Sequence, residues 1–260
     1  MKEKKFIFEM FNLKKKNIVI SGGLGRIALP MTEALLEKGA NVFVLTKNPL
    51  KHKNIIKKLK GKFSRFNLIK CDVSKTQSVK SVIKKIKLAP NVFLYSSVIR
   101  PLQKSKGENF DKWKFSVNDN ATSMHISCSL FSDLMRKNGG GSVIIVSSIY
   151  GIRAPDQNLY TGTKMFTESD YPFLKGGSII YSNYMASKLG KYNVRFNVIA
   201  PGGLDDQFAE KKFKKRYIKK VPLGRMLKGE DLKGIAVFLS SDESSYITGC
   251  TIKVDGGICL

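Results

Sequence analysis

Acidic side chains are scarce in this sequence. Twenty Asp and Glu stand against 46 Lys and Arg, which leaves a net charge of +26 on 260 residues. Such a surface attracts polyanions. The lysines, however, are spread along the whole chain and outnumber the arginines, so a solvated lysine-covered surface is expected and nucleic acid is not expected as a partner. The densest run, "EKKFKKRYIKK" (Glu210–Lys220), spaces Phe213 and Tyr217 as one apolar stripe on a helix.

Metal-ligating side chains are few as well. The only histidines, His52 and His125, are far apart, and Cys71, Cys128, Cys250 and Cys259 form no C-x-x-C pair. No metal site and no disulfide framework are expected, and a reducing cytoplasm fits. No apolar run approaches the roughly 18 residues needed to cross a bilayer, so no membrane partner is expected. The start, "MKEKKFIFEMFNLKKK", lacks a small-residue cleavage site and reads as an arm (1–12) leading into the first strand.

What the chain does have is enough apolar content, 42%, for one large core. Short Val/Ile runs alternate with longer amphipathic ones. Strands are predicted at 17–21, 41–46, 66–73, 91–97, 142–148, 194–200 and 250–255. Helices are predicted at 26–39, 76–87 and 110–137 (bent or broken near Asn118). Three more are predicted: from Tyr171 to about Lys191, in the lysine-rich segment after 210, and at 230–240. Val/Ile strands each followed by a helix imply α/β architecture: a single doubly wound parallel sheet of about seven strands, covered on both faces, within one domain spanning 1–260.

Between the first strand and first helix, "VISGGLGRIALP" spaces Gly22, Gly25 and Ala28 three apart. A glycine there permits a tight turn, a second permits close backbone approach to phosphate, and the small third residue lets helix pack on strand. The following helix N-terminus then presents N–H groups to a pyrophosphate. After the second strand comes "LTKNP", with Lys47 and no carboxylate beside it. An acid there would accept from ribose hydroxyls, whereas a lysine attracts a 2′-phosphate. NADP(H) is therefore expected over NAD(H).

Tyr-x-x-x-Lys occurs three times: Tyr160/Lys164, Tyr171/Lys175 and Tyr184/Lys188. On a helix each pair would share a face. A phenol beside an ammonium is a proton-transfer pair, because the cation favours phenolate. Spacing alone leaves all three open.

The chain resembles the short-chain dehydrogenase/reductase family over nearly its whole length. The resemblance rests on "VISGGLGRIA", "CDVS", the Asn in "FSVNDNATS", "GGGSVIIVSSIYG", Tyr171-x-x-x-Lys175, "NVRFNVIAPGG", "VPLGRM" and "FLSSDESSYITGCTIKVDGG". It implies a Rossmann-like sheet, a nicotinamide cofactor, a small carbonyl or alcohol substrate and a homotetramer or homodimer. In this family one long helix links the active tyrosine to the "NVRFNVIAPGG" strand. Lys175 precedes Arg195 by 20 residues, a full helix length, and Lys188 by only 7, while Pro172 bars a continuous helix from Tyr160. Tyr171 and Lys175 are therefore the expected pair, with Ser169 and Asp170 as capping residues.

The resemblance further implies Ser148 as hydrogen-bond donor to the substrate oxygen, Ser147 as its structural neighbour, and Asn118 as support for a water-linked proton path to Lys175. The cofactor set it implies is Ser21, Gly22, Gly25, Arg26, Ile27, Lys47, Asp72, Val73, Ser96, Pro201 and Gly202. Two departures stand out. "YSSV" (Tyr95–Val98) replaces the usual Asn-Asn-Ala-Gly, and Asp206 stands where a threonine is usual; a carboxylate there disfavours the cofactor phosphates, and Arg26 either compensates by reaching phosphate or points to solvent. The stretch 149–170 is longer than in many relatives and offers Arg153, Asp156, Gln157, Asn158 and Tyr160 as substrate-side groups. A similar loop occurs in relatives that modify surface carbohydrate and flagellin, which implies a sugar or sugar derivative as substrate. Two alternatives stay open: a catalytically weakened cofactor-binding protein, and a nucleic-acid-binding module.

Overall fold

The computed structural model describes residues 10–100 and 109–260. Residues 1–9 of the expected arm therefore lie outside the described part; at the arm's end, the Phe11 N–H donates to Glu243. The strands are β1 (Asn17–Ser21), β2 (Asn41–Thr46), β3 (Phe66–Lys70), β4 (Val92–Tyr95), β5 (Gly141–Val146), β6 (Val194–Pro201) and β7 (Thr251–Val254). All pair in parallel in one sheet, in the order β3-β2-β1-β4-β5-β6-β7. The helices are α1 (Ala28–Glu37), α2 (Lys53–Lys62), α3 (Thr76–Ile86), α4 (Phe110–Lys137), α5 (Asp170–Leu189), α6 (Lys211–Ile218) and α7 (Lys233–Ser240).

The central strands are continuous Val/Ile/Leu runs because both faces of the sheet are covered. Successive residues alternate sides. Ile18 and Ile20 of β1 pack with Met31 and Leu35 of α1 and Leu239 of α7. Val19, between them, belongs to the opposite core, with Val79 of α3, Phe131 of α4 and Met185 of α5. Phe93 of β4 stacks on Phe131 with ring centroids 4.4 Å apart. A third cluster, with Ile149, Leu159, Phe213, Tyr217 and Met226, anchors the 149–170 stretch and α6 to each other.

Three expectations are corrected. Helix α2 was not foreseen, because in "KNIIKKLKGK" only Leu59 is fully buried and the helix lacks a broad apolar face. Helix α4 runs unbroken through Asn118. The expected 230–240 helix divides into a 3-10 turn (Gly229–Leu232) and α7.

The sheet order reverses direction between β1 and β4. A crevice opens there beyond the strands' carboxyl ends, where ligands of doubly wound sheets bind. Gly22 lies in this gap with φ +72°, and a Cβ on it would fall 2.9 Å from the Ser96 carbonyl oxygen. Only glycine tolerates both that conformation and that contact.

Candidate active site

The site is built where β5, α5, the β4 loop and the glycine turn meet. β5 ends in Val146 and is followed by Ser147 and Ser148, both buried. Ser147 faces α5: its hydroxyl donates to the Lys175 carbonyl at 2.8 Å and accepts from Ser178 at 3.0 Å. Ser148 accepts from the Tyr150 N–H at 3.2 Å, which leaves its own hydroxyl proton free, and it lines the main cavity.

Helix α5 begins at Asp170, so Tyr171 and Lys175 lie one turn apart in its first turns. The Lys175 ammonium donates to the Val146 carbonyl at 2.8 Å and sits 5.6 Å from the Tyr171 ring centroid. Burial pushes the Lys175 pKa below the ordinary lysine value; proximity to Tyr171 opposes this and Arg100 reinforces it. The Arg100 guanidinium lies over the opposite partner of this pair, 4.1 Å from the Tyr171 ring centroid.

The expected capping by Ser169 does not occur. Its hydroxyl instead accepts from the Trp113 indole at 3.1 Å, and its side chain makes no cap bond. Asp170 is buried and accepts from Ser116 of α4, which ties the first turn of α5 to that helix.

Asn118 is corrected. It is exposed and lines neither cavity described here. Asn120, two residues on, points inward. Its amide accepts from the Ile99 N–H at 2.9 Å and donates to the Ile99 carbonyl at 3.0 Å, so it holds the β4 loop beside the site. Ser116, Asn120, Ser123 and Ser127 are all buried. They recur at helical spacing, and this phase excludes position 118; it was the available signal.

A cavity of about 630 Å³ joins these groups to the glycine turn. It is lined by the candidate residues Gly25, Arg26, Ile27, Ser96, Ser148, Tyr171, Lys175, Pro201 and Gly202, and by Val98. Ser21, Gly22, Lys47, Asp72 and Val73 do not line it. Ser21 is buried at the end of β1, and Lys47 pairs with Asp72 at 2.8 Å across the ends of β2 and β3. The Asp72 hydrogen bond raises the Lys47 pKa. Burial works against ionisation of Asp72, but the bonds from Lys47 and Ser74 outweigh it and hold the carboxyl below its ordinary value.

Of the loop residues expected beside the site, only Tyr160 lines the cavity. Arg153 donates to the Ile258 carbonyl, and Asp156 pairs with Lys220 and caps Asn158. Tyr150, Lys164, Met165 and Phe166 take their place. The Tyr150 and Tyr160 hydroxyls meet at 2.7 Å, and burial together with Tyr160 drives the Tyr150 pKa far up. At the mouth, Arg26 pairs with Asp206 and lies over the Phe208 ring at 4.5 Å. The third Tyr–Lys pair is remote: Tyr184 is exposed late in α5.

Gly151 sets the spacing between the 149–151 turn and α5. A Cβ there would fall 2.6 Å from the Lys175 carbonyl oxygen, a backbone contact that no rotamer relieves. Gly151→Ala is expected to destabilise by about 1–3 kcal/mol, which scanning calorimetry would show as a melting temperature lower by several degrees. Gly177→Ala, two residues after Lys175 in α5 and with nothing within 4 Å of its Cβ, is expected to raise it. Equal effects of the two substitutions would contradict this packing.

The fold and site thus define a doubly wound α/β protein with a tyrosine–lysine–serine centre at its switch point. A family described as enoyl-(acyl carrier protein) reductase matches residues 25–259. The 3-oxoacyl-(acyl-carrier-protein) reductase FabG of Chlamydia muridarum is 30% identical over 255 residues, covering 95% of this chain and 98% of the relative. The post-translational flagellin modification protein A of Campylobacter coli is 29% identical over 258 residues, covering 94% and 98%. A short chain dehydrogenase from Leptospira borgpetersenii, solved with bound NAD+, superposes with a TM-score of 0.82 at 25% identity, covering 96% of this chain and 94% of that one. The chain belongs to the short-chain dehydrogenase/reductase family, and it is an oxidoreductase.

Proposed function

We propose that the protein exchanges a hydride between a nicotinamide dinucleotide, NADP(H) in preference to NAD(H), and a carbonyl or alcohol of a sugar or sugar derivative. The observation that carries this reading is the convergence of Ser148, Tyr171 and Lys175 on the cavity that continues to the glycine turn. The crevice fits a dinucleotide: Gly22 leaves no Cβ between turn and β4 loop, and Gly25, Ile27, Ser96, Pro201 and Gly202 would hold the cofactor. A bound reduced nicotinamide supplies the hydride.

The protein's residues manage the proton. Ser148 donates a hydrogen bond to the substrate oxygen. Tyr171 donates its phenolic proton to the alkoxide as it forms and takes it back in oxidation. Lys175 stabilises the phenolate left behind. A second cavity of about 30 Å³, lined by Asn120, Asp170, Tyr171 and Lys175 among others, accommodates one water and offers Lys175 a route for proton return.

The sugar reading is supported by the likeness to the flagellin modification protein and by the tyrosine-rich cavity wall. The exposed apolar residues Phe110 and Phe115 of α4 and Phe173, Ile180 and Tyr184 of α5 support a homodimer or homotetramer. Among the described residues no helix is long and apolar enough to cross a membrane. The four free cysteines support a reducing cytoplasm. The whole chain is read as one domain around the one sheet.

Lys47 carries the cofactor preference. A bound 2′-phosphate would take Asp72's place as its partner, since the lysine is exposed and its surface pairing is weak. Titration calorimetry is expected to give a tighter Kd for NADPH than for NADH, and Lys47→Glu is expected to reverse the order. Tighter NADH binding by the unmodified protein would sink the preference.

A further inference from the structure

We propose that Arg100 is a substrate-recognition residue, and that the substrate carries an anionic group, carboxylate or phosphate, close to its reacting carbon. This rests on the oxidoreductase reading above and adds the charge of the substrate to it.

Three observations support it. Arg100 lines the main cavity together with Ser148, Tyr171 and Lys175. Its guanidinium is fixed over the Tyr171 ring, 4.1 Å from the centroid. A guanidinium seated on an aromatic face keeps the N–H edge of its fork for a further partner, and that fork matches a carboxylate or phosphate in two parallel hydrogen bonds. Any group held by it lies beside the phenol that handles the substrate's proton.

The third observation is the charge balance of the cavity. Its wall carries Arg26, Arg100, Lys164 and Lys175 against Asp206 and Glu210. Both carboxylates are engaged: Asp206 pairs with Arg26, and Glu210 accepts from the Lys164 backbone N–H at 2.7 Å. A second cation near Lys175 is unfavourable for the free protein, and Arg100 indeed adds to the depression of the lysine's pKa. An anionic substrate group between the two relieves that repulsion, whereas a neutral substrate leaves it in place.

The test is calorimetric titration of the NADPH-saturated protein and its Arg100→Gln and Arg100→Lys variants with three matched polyols: glucitol, gluconate and glucitol 6-phosphate. The expected result is at least tenfold tighter binding of one or both anions than of glucitol. Arg100→Gln should abolish that difference, and Arg100→Lys should retain part of it. Gluconate against glucitol 6-phosphate separates a carboxylate from a phosphate. Equal affinity for all three, binding of none of them, or a preference that survives Arg100→Gln overturns the proposal. Failure of the unmodified protein to bind NADPH would instead remove the oxidoreductase reading itself, so the two failures are distinguishable.

Discussion

Tyr171→Phe is expected to lower kcat for carbonyl reduction by about 10²–10⁴-fold, the range a positioned general acid contributes. The substitution removes one oxygen and its proton. It leaves the ring, with Arg100 4.1 Å and Lys175 5.6 Å from its centroid, in place. The Kd for NADPH should therefore stay within a factor of about two, well below the tenfold that 1.4 kcal/mol represents. Loss of rate with retained binding marks a group acting in the transition state. A comparable loss on Tyr160→Phe or Tyr184→Phe, with Tyr171→Phe neutral, would assign the chemistry to another of the three Tyr-x-x-x-Lys pairs. Tyr184 is exposed late in α5, and the Tyr160 hydroxyl is occupied by Tyr150 and Thr167.

Lys175→Met carries the second large effect, a fall in kcat of at least about 10²-fold, within the same range for proton-transfer groups. It removes the ammonium beside Tyr171 and the bond to the Val146 carbonyl. A stability signature accompanies it. The folded-state pKa of Lys175 is lowered by burial, then by Arg100, against Tyr171. Between that lowered value and the ordinary lysine value of about 10.4, the unfolded chain holds the proton and the folded chain does not. Stability must then rise with pH across this window, and below it the penalty of the buried charge is fully present. The stability of the unmodified protein minus that of Lys175→Met should therefore increase as pH rises towards 10, read by thermal unfolding of both. A difference that falls with pH would mean that the ammonium is held by a stabilising ion pair instead.

Much of this site could be read from the sequence because its parts lie at strand ends. β1, β4, β5 and β6 are buried Val/Ile/Leu runs that can be little else than central strands. Each is followed by the short turn that carries Gly22, Ser96, Ser148 or Gly202. Choosing Tyr171 rested on the family resemblance, in which a full helix separates the active lysine from the strand that carries Arg195. Side-chain phase was harder. Asn118 and Asn120 are two residues apart, hence on nearly opposite faces of α4, and only the buried Ser116–Ser123–Ser127 stripe tells them apart.

Long-range ion pairs were beyond reach. Arg26 and Asp206 are 180 residues apart in sequence, so the pairing of these two separately noted residues across the cavity mouth follows only from the fold. The Lys47–Asp72 pair was hidden for a related reason. Each residue is read separately as a cofactor group from the sequence, and β2–β3 pairing brings the two within 2.8 Å of each other. Arg100 drew no attention because cation–aromatic stacking has no sequence spacing of its own.

The most direct measurement is isotope transfer. The protein is incubated with NADPH deuterated at the transferred position and a panel of hydroxyketones, sugar derivatives and 3-oxoacyl thioesters, and products are read by mass spectrometry. The expected result is a singly deuterated alcohol from the unmodified protein and none above background from Tyr171→Phe, with NADPH bound by both. NADPH binding without deuterated product across the panel would contradict catalysis and leave the chain a cofactor-binding relative, with Val98 and the Arg26–Asp206 pair as the residues to examine.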